Sequence, residues 1–136
     1  MATFNQKQMA EWIAAWSSRD TEKIASFWSD DGIYEDVPLN VVKTGRKEIA
    51  AFVEEFFSGF TDLTAGIGYR FVSEDHICEE WIIAGTHAGF YLMLPNGVHL
   101  SIRGVSITQF SGDLISRRTD YYDMASALRQ CGVIPS

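Results

Sequence analysis

Cysteine, proline, metal-binding patterns and long apolar runs are all scarce in this chain, and each scarcity removes a class of protein. Of 136 residues only 2 are Cys and 3 are Pro. Cys78 and Cys131 have no CxxC spacing, so idle or buried thiols are expected rather than a disulfide framework or a zinc site. His76, His87 and His99 form no HxH or HxxxH, which argues against a metal. GxGxxG, Walker and GxSxG sequences are missing too, so neither a cofactor nor a nucleophilic serine is expected. Apolar runs such as Trp81 to Ala84 and Met93 to Pro95 fall far short of the roughly 20 residues of a membrane span. With no basic-then-apolar leader, the expectation is a soluble, cytoplasmic protein. The net charge of −7 comes from scattered acids, and no basic stripe interleaves with aromatics. Nucleic acid and anionic membrane are therefore poor partners.

What the chain does have is a core: 46% hydrophobic residues, with 9 Phe, 5 Tyr and 4 Trp, enough for one domain spanning 1–136. Met9, Trp12, Ile13 and Trp16 follow the i, i+3, i+4, i+7 rule and predict an amphipathic helix over about 5–18. Asp20 is a good N-cap for a second helix with Ile24, Phe27 and Trp28 inward, closed by Gly32. IYEDV reads as a short strand, PLNVVKTG as a loop, and 45–60 as a third helix presenting Ile49, Phe52, Val53, Phe56 and Phe57. From Leu63 onward β-branched and aromatic residues dominate, with turn signals at SED, PNG and SGD. Strands are predicted at about 65–73, 77–87, 98–110 and 114–123, joined as antiparallel hairpins, with a final helical turn at 124–131. The fold class is α+β, three N-terminal helices packed in a curved, mainly antiparallel sheet.

The order and motifs of this chain resemble a known family. SSRDTEKIASFWSDDGIYEDVP, TGRKEI, GTHAG, LPNG, IRGVSITQFSGDLI and TDYYD together resemble the SnoaL-like branch of the nuclear transport factor 2 superfamily, from about Met9 to Gly132. The resemblance implies a cone-shaped α+β barrel whose pocket opens at the wide end. It implies no single reaction, because relatives include polyketide cyclases, ketosteroid isomerase, limonene epoxide hydrolase and plain binding modules. A homodimer is also implied, with Ser101, Arg103, Arg117 and Thr119 on candidate outward faces.

Strand parity places Tyr34 with Asp36 on one face, Ser116, Arg118, Asp120 and Tyr122 on another, and Glu79 with Trp81 and Ile83 on a third. If these faces point into the cone, two carboxylates enter an aromatic cavity, where burial raises a carboxyl's pKa toward that of a general acid or base. Asp36 lies where YEDVP resembles the segment carrying the proton-shuttling aspartate of ketosteroid isomerase. The oxyanion donors of that enzyme are replaced here by Trp12 and Ser106, which departs from its site. Asp120 lies where TDYYD resembles the acid/base segment of SnoaL-type cyclases and of limonene epoxide hydrolase, with Tyr34 and Asp36 in water-holding positions. The arginine and second aspartate of that hydrolase find only Glu79 and Trp81. Either Asp120 is a free acid/base, or it is half of an ion pair with Arg118 or Arg103. Asp36 is either functional or a solvated loop-end residue beside Pro38.

Trp12, Trp16, Trp81 and Tyr122 are candidate walls of a pocket for a small apolar or cyclic molecule, with Arg103 or Arg118 assisting an enolate. His87, in GTHAG, would order a bend or rim, His76 and His99 would be exposed, and Asp123 would cap the closing turn. The leading expectation is a cyclase or isomerase working without a cofactor, in which Asp120 removes or returns a proton beside a carbonyl while Asp36, Tyr34 and Arg103 or Arg118 assist the enolate. An epoxide hydrolase and a non-catalytic ligand-binding or dimerisation module are the alternatives.

Overall fold

The fold, taken from a computed structural model, is described for residues 5–88 and 97–135. Helix α1 (Gln6–Ser18) begins with a reciprocal cap: the Gln8 N–H donates to the Asn5 side chain and the Asn5 N–H to the Gln8 side chain, both at 2.9 Å. It ends on Arg19, whose backbone is left-handed (φ 57°). Asp20 caps α2 (Thr21–Ala25) by accepting from the Lys23 N–H at 3.1 Å, as the sequence predicts.

The next segment differs from expectation. Helix α2 stops at Ala25, and Phe27 and Trp28 lead into a strand, β1 (Trp28–Asp36), with Gly32 inside it. The cause is Trp28, fully buried and donating its indole N–H to the Ile33 carbonyl at 3.0 Å. Its ring occupies the space beside Gly32, where a Cβ would sit 2.8 Å from the Trp28 Cδ1. Gly32 thus makes room for a tryptophan rather than ending a helix. Part of the predicted loop is also a strand, β2 (Val41–Thr44), paired antiparallel with β1 after a turn in which Asn40 has φ 56°.

Helix α3 (Arg46–Ser58) buries Ile49, Phe52, Val53 and Phe57 as its periodicity predicts, while Phe56 is half-buried. Strands β3 (Thr64–Val72), β4 (His76–Thr86), β5 (His99–Ser111) and β6 (Leu114–Tyr122) follow within one residue of the predicted bounds. The turn expected at PNG lies outside the described residues except for Gly97. Helix α4 (Met124–Gln130) is capped by Asp123, which accepts from the Ser126 N–H at 2.9 Å.

The six strands form one open sheet in the order β2-β1-β6-β5-β4-β3. Only β1 and β6 run parallel; the other neighbours are antiparallel. The helices lie on one face, where Trp12, Ala15, Ile24, Trp28, Ile49, Phe52, Val53 and Phe57 join one core. Interlocking rings stiffen it: Trp12 meets Trp16, Phe27 and Trp28 at centroid distances of 5.5, 5.2 and 5.7 Å. The other face leaves Ile82, Ile107 and Tyr121 exposed, and β3 is exposed along its whole length. No described helix is long and apolar enough to cross a membrane.

Candidate active site

Strand register, more than sequence proximity, assembles the polar residues. Glu79 on β4 lies opposite Ser106 on β5, Ser106 opposite Asp120 on β6, and Asp120 opposite Asp36 on β1. One row across four strands therefore carries three carboxylates and a hydroxyl toward the helices. The adjoining rows carry Thr108, Arg118 and Tyr34 on one side and Trp81, Gly104 and Tyr122 on the other. Gly104 is needed because the Trp81 ring lies over it: a Cβ would fall 2.5 Å from two ring carbons.

These rows line a cavity of about 580 Å³, within the range of small-molecule sites. Trp12, Trp16, Phe52, Phe56 and Phe57 form its helical wall, Trp81, Ile83 and Ile102 its sheet wall, and Phe60, His87, Leu100 and Ala127 one end. Tyr34, Asp36, Arg118, Asp120 and Tyr122 all reach it. Of the sequence-predicted residues Arg103 does not: it is exposed on the opposite face of β5. Tyr34, Asp36, Asp120, Trp12, Trp16, Trp81, Arg118, Tyr122 and His87 are brought together; His87 is buried, with its ring perpendicular to that of Phe60.

Asp120, 7% exposed, is enclosed by donors. Tyr34 donates its hydroxyl to Oδ2 at 2.5 Å and Ser106 donates to Oδ1 at 2.6 Å. The direction of the Ser106 bond is forced. Its Oγ already accepts from the Trp81 indole N–H at 2.7 Å and from Arg118 Nη2 at 2.9 Å, leaving its single proton for Asp120. Arg118 Nε lies 3.3 Å from Asp120 Oδ1, and its Nη1 donates to Thr108 and stands 4.0 Å from Glu79. Burial works against the Arg118 charge, but nearby Asp120, Tyr34 and Glu79 outweigh it and hold its pKa above the ordinary value. Trp12 lies under the guanidinium, 5.2 Å from its ring centroid. Tyr34 is pushed well above the usual phenol range, by burial first and then by the Asp120 charge, so it stays a donor. Glu79 is held from the other side by Arg70, at 2.8 and 2.5 Å.

Asp36 sits one strand away, 5% exposed, in a different setting. Oδ1 accepts from the Leu39 N–H at 3.0 Å, and the Tyr122 hydroxyl lies 2.9 Å from both carboxyl oxygens. No cation pairs with it among the described residues. Burial raises its pKa from 3.8 to about 6; the Leu39 and Tyr122 bonds oppose the rise, and the Asp120 charge adds to it. The two readings of Asp120 thus resolve toward an ion pair with Arg118, and Asp36 is no solvated loop-end residue.

Sequence reasoning gave no role to Ser106, Glu79 or Arg70. Ser106 had a usable signal, since it shares parity with Ile102 and Gly104 on a pocket strand. Arg70 had none, because a register irregularity between Ile67 and Arg70 turns it inward.

An open curved sheet that cups helices over a cavity with buried acids on its floor is an α+β cone. The chain belongs to the SnoaL-like polyketide cyclase family, whose model matches residues 7–131. Solved structures agree on the fold. A Catenulispora acidiphila protein with a ketosteroid isomerase-like fold, determined with trimethylamine, is 22% identical at a TM-score of 0.77, covering 91% of each chain. TsrD from Streptomyces laurentii is 21% identical at a TM-score of 0.80, covering 95% of each chain. An NTF2-like protein from Burkholderia pseudomallei is 18% identical at 0.78, covering 96% of this chain and 98% of its own. No curated protein matches the sequence.

Proposed function

We propose that the protein is a cofactor-independent general acid/base enzyme, a cyclase or isomerase, acting on a small cyclic or polyketide-like carbonyl compound. The observation that carries this reading is Asp36: a buried carboxyl on the wall of an aromatic cavity, unpaired with any described cation, with a pKa of about 6. Such a group is ionised at pH 7 yet takes a proton readily, as a general base near neutrality must. In the reaction, Asp36 removes a proton from the carbon beside a substrate carbonyl, and the C–H electrons form the C=C of an enolate. Protonated Asp36 no longer needs the Tyr122 hydroxyl, which is then free to donate to the enolate oxygen. In an isomerase, Asp36 returns the proton at another carbon. In a cyclase, the enolate carbon attacks a second carbonyl of the same molecule, and Asp36 returns the proton to the new alkoxide. The aromatic walls hold the reacting groups together and exclude water.

Asp120 is the fixed neighbour in this reading. Its oxygens are occupied by Tyr34 and Ser106, and it anchors Arg118 over the Trp12 ring. Epoxide hydrolysis is less favoured by the same geometry, because Asp120 and Glu79 are both engaged and neither is a free acid beside the cavity.

The test uses hydrogen–deuterium exchange at the carbon between the ring and the carbonyl of 2-tetralone in D2O, followed by NMR. Wild-type protein is expected to accelerate exchange, and Asp36→Asn to abolish the acceleration while the ketone still binds. Equal exchange with both proteins, or none above background across a panel of bicyclic ketones, contradicts the proposal and favours a binding module.

A further inference from the structure

The cavity opens between the exposed face of α1 and strand β3. Its exposed lining residues are Ile13, Ser17 and Arg19 on one side and Thr64 to Ile67 on the other. Ile13, expected from its spacing to face the core, is 45% exposed, and Ile67 opposite is 46% exposed, so the lips are apolar. Inside, the ionisable Asp36, Glu79, His87, Arg118 and Asp120 are all buried. Arg19 is the exposed cation among the described lining residues. Its guanidinium stands 5.7 Å from the Phe57 ring centroid and makes no ion pair among the described residues.

Two further observations bear on Arg19. First, it occupies the left-handed position that ends α1, where glycine is the unstrained choice and a Cβ is penalised. A non-glycine residue at such a position is uncommon, and here its side chain lines the mouth of the cavity. Second, it starts a ladder of rings that runs inward: Phe57 to Trp16 at 5.6 Å and Trp16 to Trp12 at 5.5 Å, with Arg118 beyond Trp12. The ladder offers flat apolar surface leading from a rim cation toward the buried polar row.

We infer that the protein's ligands are fused-ring or aryl compounds bearing a carboxylate or similar anion, whose rings enter along the aromatic ladder while Arg19 holds the anion at the rim. The inference rests on the acid/base reading only for the reacting end; the charge selection stands on the rim geometry. Arg19 is on this account a specificity-determining residue, not a catalytic one. Because the protein carries a net charge of −7, distant charges repel an anion, and the rim arginine supplies the local attraction that selects it.

A matched probe pair tests this: 2-naphthylacetate and its neutral amide, titrated calorimetrically into the full chain at pH 8. The wild type is expected to bind the carboxylate about tenfold more tightly than the amide, the effect of one charge-assisted contact. Arg19→Gln is expected to abolish that preference without changing amide affinity. Arg19→Gly does the same, with a Tm at or above wild type because glycine relieves the left-handed backbone. Failure of wild type to bind either probe, a preference that survives both substitutions, or equal weakening of both probes with a lowered Tm overturns the inference. Binding needs no proton transfer. Preference retained in Asp36→Asn therefore separates the rim's role from the reaction's, and a failed exchange assay leaves this result standing.

Discussion

Asp36 and Asp120 are register partners on neighbouring parallel strands, yet their surroundings give them opposite characters. Asp120 receives two hydroxyl protons and lies against a guanidinium. Asp36 receives one hydroxyl, one backbone N–H and no described cation, and it is the group that burial pushes up to about 6. The backbone places both alike, and the partners decide which one exchanges a proton. The difference follows from the hydroxyls supplied by β5: Thr108 and Ser106 accept from Arg118 and hold it toward Asp120 rather than toward Asp36.

The largest way to break this contrast is Asp36→Asn, expected to lower proton-transfer rate by about 10²–10⁴, the typical worth of a positioned base. A comparable loss of rate with no loss of stability in Asp120→Asn would reverse the assignment. Instead Asp120→Asn is expected to destabilise the fold by about 2–4 kcal/mol in urea unfolding, because it leaves the buried Arg118 without its closest counter-charge.

A comparable effect separates the two through pH. The raised pKa of Asp36 means the folded state binds its proton more tightly than the unfolded chain does. Its contribution to stability is therefore fully present below pH 3.8 and is lost as pH rises through about 6. Relative to wild type, Asp36→Asn should gain stability across this window, reaching about 3 kcal/mol at pH 8, as read from urea midpoints at several pH values. The smallest expected shift is that of the pH profile in Tyr122→Phe, a variant that also loses rate because the enolate loses its donor. Removing a bond that favours the charged carboxylate should shift the acid limb of the rate profile upward from about pH 6 by a fraction of a pH unit.

The contrast also shows what was legible in the sequence. Period-2 alternation placed Tyr34 with Asp36 and Arg118 with Asp120 and Tyr122, and helical spacing placed Trp12, Trp16 and Phe52, because side-chain direction follows from local backbone geometry. Which strand lies beside which was not legible by the same means. The opposition of Asp36 to Asp120 depends on β1 returning beside β6, and that of Ser106 to Asp120 on the length of the β5–β6 hairpin. The misplaced end of α2 has a similar cause. Trp28 and Gly32 look helical by spacing and turn chemistry, but burying an indole across the strand outweighs both. Arg103 was ambiguous for want of one parity reference, which register with Ile82 on the outward face supplies.

The proton-exchanging character of Asp36 can be measured without a substrate, by following its side-chain carboxyl carbon by NMR from pH 3 to pH 9, with Asp36→Asn to assign the signal. The account predicts a midpoint near pH 6 that moves upward in Tyr122→Phe. A midpoint in the ordinary carboxylate range near 4, unchanged by loss of the Tyr122 hydroxyl, would contradict it.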